Sequence, residues 1–197
     1  KEQILETLGR AASFKDDDTS NHVFRMSRYA ELVARQVSHD EEWIRLLRQS
    51  ATMHDIGKIG IPDHILLKPG KLDPDEWLFM QQHVRFGGEI IDDETTPIMK
   101  MSKDVALYHH EKWDGTGYLK GLKGQDIPLA ARIVSVVDVF DALTSSRPYK
   151  KAWSVEDALN LINEQSGKHF DPRIVVAFNA VIEDILVIKT QFESEKD

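Results

Sequence analysis

Cysteine is absent from the 197 residues. That excludes disulfides, thiolate nucleophiles and cysteine-ligated zinc together, and it suits a reducing compartment, so a cytoplasmic location is expected. An excess of positive charge is absent too: 25 Lys and Arg against 33 Asp and Glu leave a formal net charge of −8. No basic field exists to hold DNA by its phosphates, so a phosphate ligand must be met by local cations or by metals. No apolar run approaches the roughly 18 residues of a membrane span, and no signal-peptide pattern opens the chain. Repeats and low-complexity segments are lacking as well. What is present is 41% hydrophobic residues in a length that can bury a full core, enough for one domain with a small appendage. The chain starts at Lys1 rather than Met, and the expectation is a piece of a longer protein.

Strand-type alternation is nearly missing, whereas helical periodicity is plain. Val23, Met26, Ala30, Val33, Ala34 and Val37 recur at helical spacing, as do Trp43, Ile44, Leu47 and Ala51. In DPDEW, Asp73 as a cap, Pro74 at the first helical position and Glu76 three residues after the cap begin a third helix running towards His83. Asp171 and Pro172 repeat that signal before a last helix with Val175, Phe178, Ile182, Ile185 and Leu186 on one face. Ser102, Pro128 and Ser154 mark three further starts, and residues 57–72, 92–101 and 113–127 read as loops. The expected fold class is all-α. Ile4, Leu5, Leu8 and Ala12 form a short apolar stripe that either caps the bundle or continues a helix from an upstream domain.

Of the eight histidines, His22, His54, His83, His109 and His110 lie beside or within carboxylate-bearing helical segments. On a helix, consecutive side chains point about 100° apart, so His54 and Asp55 do not clamp one ion from one face but reach two neighbouring ions or one ion from its edges. Helical bundles build two-metal carboxylate sites by supplying imidazoles and carboxylates from separate helices. Nitrogen and oxygen ligands without sulfur suit Fe, Mn, Zn, Ni or Co. Asp138 sits among Val136, Val137, Val139 and Phe140, where an unpaired buried charge is costly and a metal removes the cost. His39, His64 and His169 read as ordinary surface or hydrogen-bonded residues.

HDIGKIGIPD (54–63), HHEKWDGTGY (109–118) and DVFDALTSSRPYKKAW (138–153) together resemble the HD-GYP family, a branch of the HD superfamily of metal-dependent phosphohydrolases, and the likeness spans roughly residues 8–180. The resemblance implies a compact helical bundle with a metal site in its core. It also implies hydrolysis of cyclic di-GMP, a bacterial second messenger, by a metal-activated hydroxide to linear pGpG and in some members onward to GMP. By the same resemblance, His22, His54, Asp55 and Asp138 match the ligands of one metal, and His83, His109 and His110 those of the other, with Asp55 bridging. Two divalent transition-metal ions are expected, Fe or Mn before Ni, Co or Zn. A third ion in some members uses a Glu where this chain has the shorter Asp18.

Phosphodiester cleavage needs a hydroxide near neutral pH and neutralisation of the charge on phosphorus, which paired metals provide. Lys58, one turn beyond His54 and Asp55, is the candidate to hold the scissile phosphate. Gly115, Gly117 and Gly121 allow close backbone approach to a ligand, and Trp113 and Tyr118 are placed to pack on it, with Asp114 counted among the substrate contacts. The family's GYP reads Gly117-Tyr118-Leu119 here, so the stiffening proline is missing and a looser loop is expected. Arg25, Arg132, Arg147 and Lys150 stand where the family carries basic residues, either contacting phosphates or ordering the Asp carboxylates.

The expected organisation is an N-terminal helix or linker over residues 1–14, a phosphodiesterase domain over 15–190 and a polar tail over 191–197. The resemblance further implies an upstream receiver or other sensory domain, and a homodimer or a GGDEF-type protein as partner in signal transduction. Two alternatives stand beside it: another HD-superfamily nucleotide phosphohydrolase, and a module that binds cyclic dinucleotide or a partner without turnover.

Overall fold

The computed structural model describes residues 7–9, 12, 15, 20–92, 95–146 and 151–194. Among these the chain is all-α, with no strand and a single isolated bridge between Ser166 and Phe170. The helices are α1 (Ser20–Val37), α2 (Glu41–Ala51), α3 (Asp63–Leu66), α4 (Pro74–Met80), α5 (His83–Ile90), α6 (Pro97–Tyr108), α7 (Leu129–Thr144), α8 (Val155–Glu164), α9 (Pro172–Ala180) and α10 (Ile182–Ser194), with 3-10 turns at Ile56–Gly60 and Gly124–Asp126.

Helix α7 is buried on most of its circumference, through Ile133, Val134, Val136, Val137 and Phe140, and the bundle is built around it. A helix apolar nearly all round has no solvent face and must sit in the centre. Met26, Tyr29 and Val33 of α1, Ile44 and Leu47 of α2, Ile162 of α8, Phe178 of α9 and Ile185 of α10 close around it in one core. Tyr29 and Phe178 meet the Phe140 ring at 6.2 and 5.2 Å between centroids, edge to face. Truncating Phe140 to Ala would cost about 3–5 kcal/mol by cavity formation. A second, smaller apolar cluster joins Ala12, Met53, Ile56, Ile91 and Ala106. The N-terminal stripe therefore packs on the bundle through Ala12, although Leu8 is exposed and Ile4 and Leu5 lie outside the described residues.

The local signals hold where capping chemistry is present. Asp73 and Glu76 form the reciprocal capping box that starts α4, and Asp40, Ser154 and Asp171 each accept a backbone N–H at the start of α2, α8 and α9. Five expectations need correcting. The start expected at Ser102 lies at Pro97, capped by Thr96, and Ser102 is buried inside α6, where its hydroxyl bonds Ser50. Residues 97–101 are thus helical, and 57–72 contain a 3-10 turn and α3. The helix opening at Pro74 breaks at Gln81 and Gln82 before α5. The last helix divides at Val181, which turns the apolar face between α9 and α10. Helix α10 continues through Ser194, into the segment expected as a tail. The expected division between residues 14 and 15 falls largely outside the described residues.

Candidate metal centre

Two groups of metal-ligating side chains meet in the bundle. Asp55, His83, His109 and His110 form one, and His22, His54 and Asp138 the other, with the ligand atoms of each group within 4.8 Å of one another. They come from α1, the turn after α2, the start of α5, the end of α6 and the middle of α7. Residues 52–55 are a turn followed by the 3-10 segment, which lets consecutive side chains diverge. His54 accordingly faces the second group and Asp55 the first.

Asp55 lies between the two. Its Oδ2 is 3.2 Å from His54 Nε2, while its Oδ1 is 3.3 Å from His83 Nε2 and 3.6 Å from His109 Nε2. Asp138 Oδ1 lies 3.5 Å from His22 Nε2 and 3.7 Å from His54 Nε2. Gly57 makes the approach of Asp55 to His83 feasible: a Cβ there would fall 1.8 Å from the His83 carbonyl oxygen and 2.4 Å from Gly87 N. Any side chain at 57 would push the 3-10 turn off α5 and separate the ligands. HDIGK thus contains a positioning glycine that motif matching alone overlooked.

The ring nitrogens are ordered by their outer partners. His54 Nδ1 donates to the Ala51 carbonyl at 3.0 Å, His83 Nδ1 to Met80 at 2.8 Å and His109 Nδ1 to Val105 at 3.0 Å. A carbonyl only accepts, so each ring carries a proton on Nδ1 and turns Nε2 inward as the ligand atom. His54, His83 and His109 Nε2, together with Asp55 Oδ1, are buried without a hydrogen-bond partner. Orphaned acceptors in such a position are costly unless a cation takes their lone pairs. The donor set, imidazole nitrogen and carboxylate oxygen, suits a divalent metal, and the fit between these residues and such an ion is good.

Electrostatics agree. Burial lowers the His54 imidazole, but the negative charges of Asp55 and Asp138 more than offset it and lift it to about 9. Burial pushes the Asp55 carboxyl up, yet the Lys58 and His54 charges hold it well below its ordinary range. Burial lowers His83 to about 4, and burial with His109 and His83 beside it holds His110 well below the usual histidine value. Asp55 is thereby kept ionised and His83 and His110 neutral, as cation binding requires, whereas His54 holds a proton that an incoming cation must displace. Lys58 Nζ stands 2.7 Å from Asp55 Oδ2, at the edge of the first group.

Behind His22 is a carboxylate the sequence reading passed over. His22 Nδ1 donates to Asp141 Oδ2 at 2.6 Å, and Arg25 grips the same fully buried carboxylate through Nε and a terminal nitrogen, each at 2.6 Å. Burial raises Asp141, but His22 and Arg25 hold it far below the carboxylate range. Of the two roles expected for Arg25, contacting phosphates or ordering an Asp carboxylate, its contacts are those of the second: it is 3% exposed and bonded to Asp141 and to Ser145 Oγ at 2.9 Å. The repeat of Asp three residues after Asp138, on the same helix, was the available signal.

The loop after His110 differs from expectation. A Cβ on Gly117 would lie 2.3 Å from Lys112 N and 2.5 Å from Glu111 Cα, so glycine is required there by the close approach of the protein's own backbone. Asp114 Oδ1 accepts from the Thr116 N–H at 2.9 Å and hydroxyl at 2.6 Å, forming its own turn. The buried Glu111 carboxylate accepts from Lys120 N at 2.7 Å and Leu122 N at 3.1 Å. The loop is pinned, not slack. Leu119 has φ +116°, a conformation closed to proline, which corrects the reading of a missing stiffener. Gly115, at φ +85°, supplies the turn. Trp113 lies under the Arg132 guanidinium at 5.8 Å, and Arg132 binds Asp171 at 2.6 Å. Tyr118 stacks on His110 at 4.9 Å between centroids. Asp18, Arg147 and Lys150 lie outside the described residues.

An all-α bundle whose core gathers histidines and aspartates from separate helices into two adjoining ligand groups defines a divalent-metal protein of the HD type. The HD-domain family profile matches residues 6–174, and the chain belongs to that family, in its HD-GYP branch. It is 48% identical over 175 residues, 89% of this chain, to the cyclic di-GMP phosphodiesterase response regulator RpfG of Xanthomonas campestris, of which it covers 46%. It is 40% identical over 173 residues, 88% of this chain, to 3'3'-cGAMP-specific phosphodiesterase 2 of Vibrio cholerae, of which it covers 33%. The chain thus spans less than half the length of either relative. Its fold is like that of the crystal structure of a cyclic GMP-AMP specific phosphodiesterase from V. cholerae, with a TM-score of 0.71 at 19% identity over 94% of this chain and 50% of that one. Among the described residues, no helix is long and apolar enough to cross a membrane.

Proposed function

We propose that this chain hydrolyses a phosphodiester of cyclic di-GMP to give linear pGpG, using two divalent transition-metal ions, Fe or Mn, held by the two ligand groups. The observation that carries this reading is Asp55, whose two carboxylate oxygens face different groups at 3.2 and 3.3 Å. Bound divalent cations would supply Lewis acidity towards phosphate oxygens and lower the pKa of water.

The chain's own groups do the rest. His22, His54, Asp55 and Asp138 would hold one cation, and Asp55, His83, His109 and His110 the other. The backbone carbonyls of Ala51, Met80 and Val105 and the carboxylate of Asp141 fix the imidazole tautomers, so no ring turns on binding. Lys58 is the cation at the edge of the first group, placed to bind a non-bridging phosphate oxygen as charge builds there. Tyr118, whose hydroxyl burial keeps neutral, shields His110 from water on one face.

The relative named a cyclic di-GMP phosphodiesterase supports the substrate, and the relative named 3'3'-cGAMP-specific supports cGAMP as a second candidate. The name response regulator in the first also supports an upstream receiver domain as the controlling partner. The test is metal content of anaerobically purified protein, measured together with turnover of both dinucleotides and chromatography of products. Two ions per chain with linear pGpG appearing supports the reading. Metals bound without turnover of either dinucleotide refutes it.

A further inference from the structure

Helix α4 has no buried residue, although its sequence PDEWLFM is largely apolar. Trp77, Leu78 and Phe79 are 47%, 59% and 40% exposed. The helix is nevertheless held firmly, by its Asp73–Glu76 capping box and by the Lys68–Glu76 ion pair, while the Phe79 ring leans on Phe86. Large aromatics give most of their stabilisation through burial, so an anchored helix that leaves a tryptophan half in solvent keeps a surface for something else.

Its neighbours identify the use. Trp77 meets Tyr118 edge to face at 6.3 Å, and Tyr118 stacks on His110 at 4.9 Å. Three rings therefore run from the metal centre to solvent and end at Trp77. The other aromatics of the loop are spent: one face of Tyr118 is covered by His110, and Trp113 lies under Arg132. A nucleotide whose phosphate sits at the metal centre carries its base one sugar away from phosphorus, and the file of rings leads from that centre to Trp77.

We propose that Trp77 is the stacking platform for one purine base of the cyclic dinucleotide. The inference rests on the substrate class given above. Every base presents a π-face, so stacking on an indole raises affinity without reading hydrogen-bonding edges. Trp77 therefore contributes to the binding of cyclic di-GMP and 3'3'-cGAMP alike and does not choose between them.

The experiment compares wild type, Trp77→Ala and Trp77→Phe as metal-loaded full chains. Substrates are cyclic di-GMP, 3'3'-cGAMP and methyl p-nitrophenyl phosphate, a diester with no base. In Trp77→Ala the KM for both dinucleotides should rise by roughly tenfold to a hundredfold, with kcat within a few-fold, metal content intact and the simple diester cleaved at the wild-type rate. Trp77→Phe should recover most of the loss. An unchanged KM overturns the platform while leaving the enzyme reading intact, and so does a loss confined to one dinucleotide. A parallel loss on the simple diester also overturns it, because Trp77 would then only prop the metal centre through Tyr118. A wild type that cleaves the simple diester and neither dinucleotide removes the substrate class and the platform together.

Discussion

His22 on α1 and Asp141 on α7, 119 positions apart in the chain, meet at 2.6 Å between Nδ1 and Oδ2 in a pocket from which Asp141 is wholly excluded from solvent. The pair turns His22 Nε2 towards Asp138, and Arg25 compensates the carboxylate's charge from the other side. A buried carboxylate with two cationic partners is tolerated only if both stay in place.

Asp141→Asn tests the brace. It keeps the shape and removes the charge that both His22 and Arg25 answer. Metal affinity should fall by about 10–100-fold, read by competition with a chelator, and the melting temperature should drop as the Arg25 guanidinium loses its counter-charge. Wild-type affinity in this variant would show that His22 needs no support.

Asp55 and Asp138 differ in consequence. Asp138 belongs to one ligand group and Asp55 faces both, so Asp138→Ala should lower the metal content by one ion per chain, while Asp55→Ala should abolish metal retention and hydrolysis. Elemental analysis of the purified variants distinguishes them. Equal metal content in the two would contradict a shared Asp55.

Lys58→Met removes a cation and no ligand. Metals should be retained at neutral pH while kcat falls by about 10²–10³-fold. The pH dependence follows from the Lys58 charge, which helps hold the Asp55 carboxyl low. Without Lys58 the Asp55 carboxyl rises, protons compete with metal at higher pH, and metal loading of the variant should fail at less acid pH than in wild type. Loss of metal at neutral pH would reassign Lys58 to the ligand shell.

Leu119 holds φ +116° between the pinned Gly117 and the Lys120 amide that donates to Glu111. Leu119→Gly should stabilise the protein by up to about 1 kcal/mol, since a side chain is strained there, or roughly 2–4 °C in melting temperature for a chain of this size. Leu119→Pro should destabilise it, because the ring fixes φ near −65°, and the loop over His110 should loosen. Thermal melts of the two variants settle the sign. A stabilising proline would refute the backbone geometry of this loop.

Much of the molecule was readable in advance because its signals are local. Capping at Asp73, Ser154 and Asp171 is decided within three residues by which side chain reaches which amide, and the 3.6-residue periodicity of α1 declares its buried face. Histidine and aspartate types at motif spacing likewise announced metal chemistry, because few other arrangements justify so many such residues along helices with apolar faces. Where local signals are weak, packing sets the element boundaries instead. Thr96 and Pro97 open α6 inside a stretch rich in turn formers, and the division at Val181 carries neither Gly nor Pro to mark it.

The sequence by itself determined that this is an all-α, cysteine-free, acidic chain with the ligand types of a divalent-metal centre, since composition and periodicity follow from side-chain chemistry alone. Only the tertiary structure decided that Asp55 stands between two ligand groups, that Arg25 braces Asp141 and does not reach outward, that Gly117 serves its own loop, and that Trp77 ends a file of rings at the surface. Those are relations between side chains brought together from separate elements, and they depend on close approaches such as Gly57 against the His83 carbonyl. Such distances are set by packing the whole bundle, which no short stretch of sequence contains.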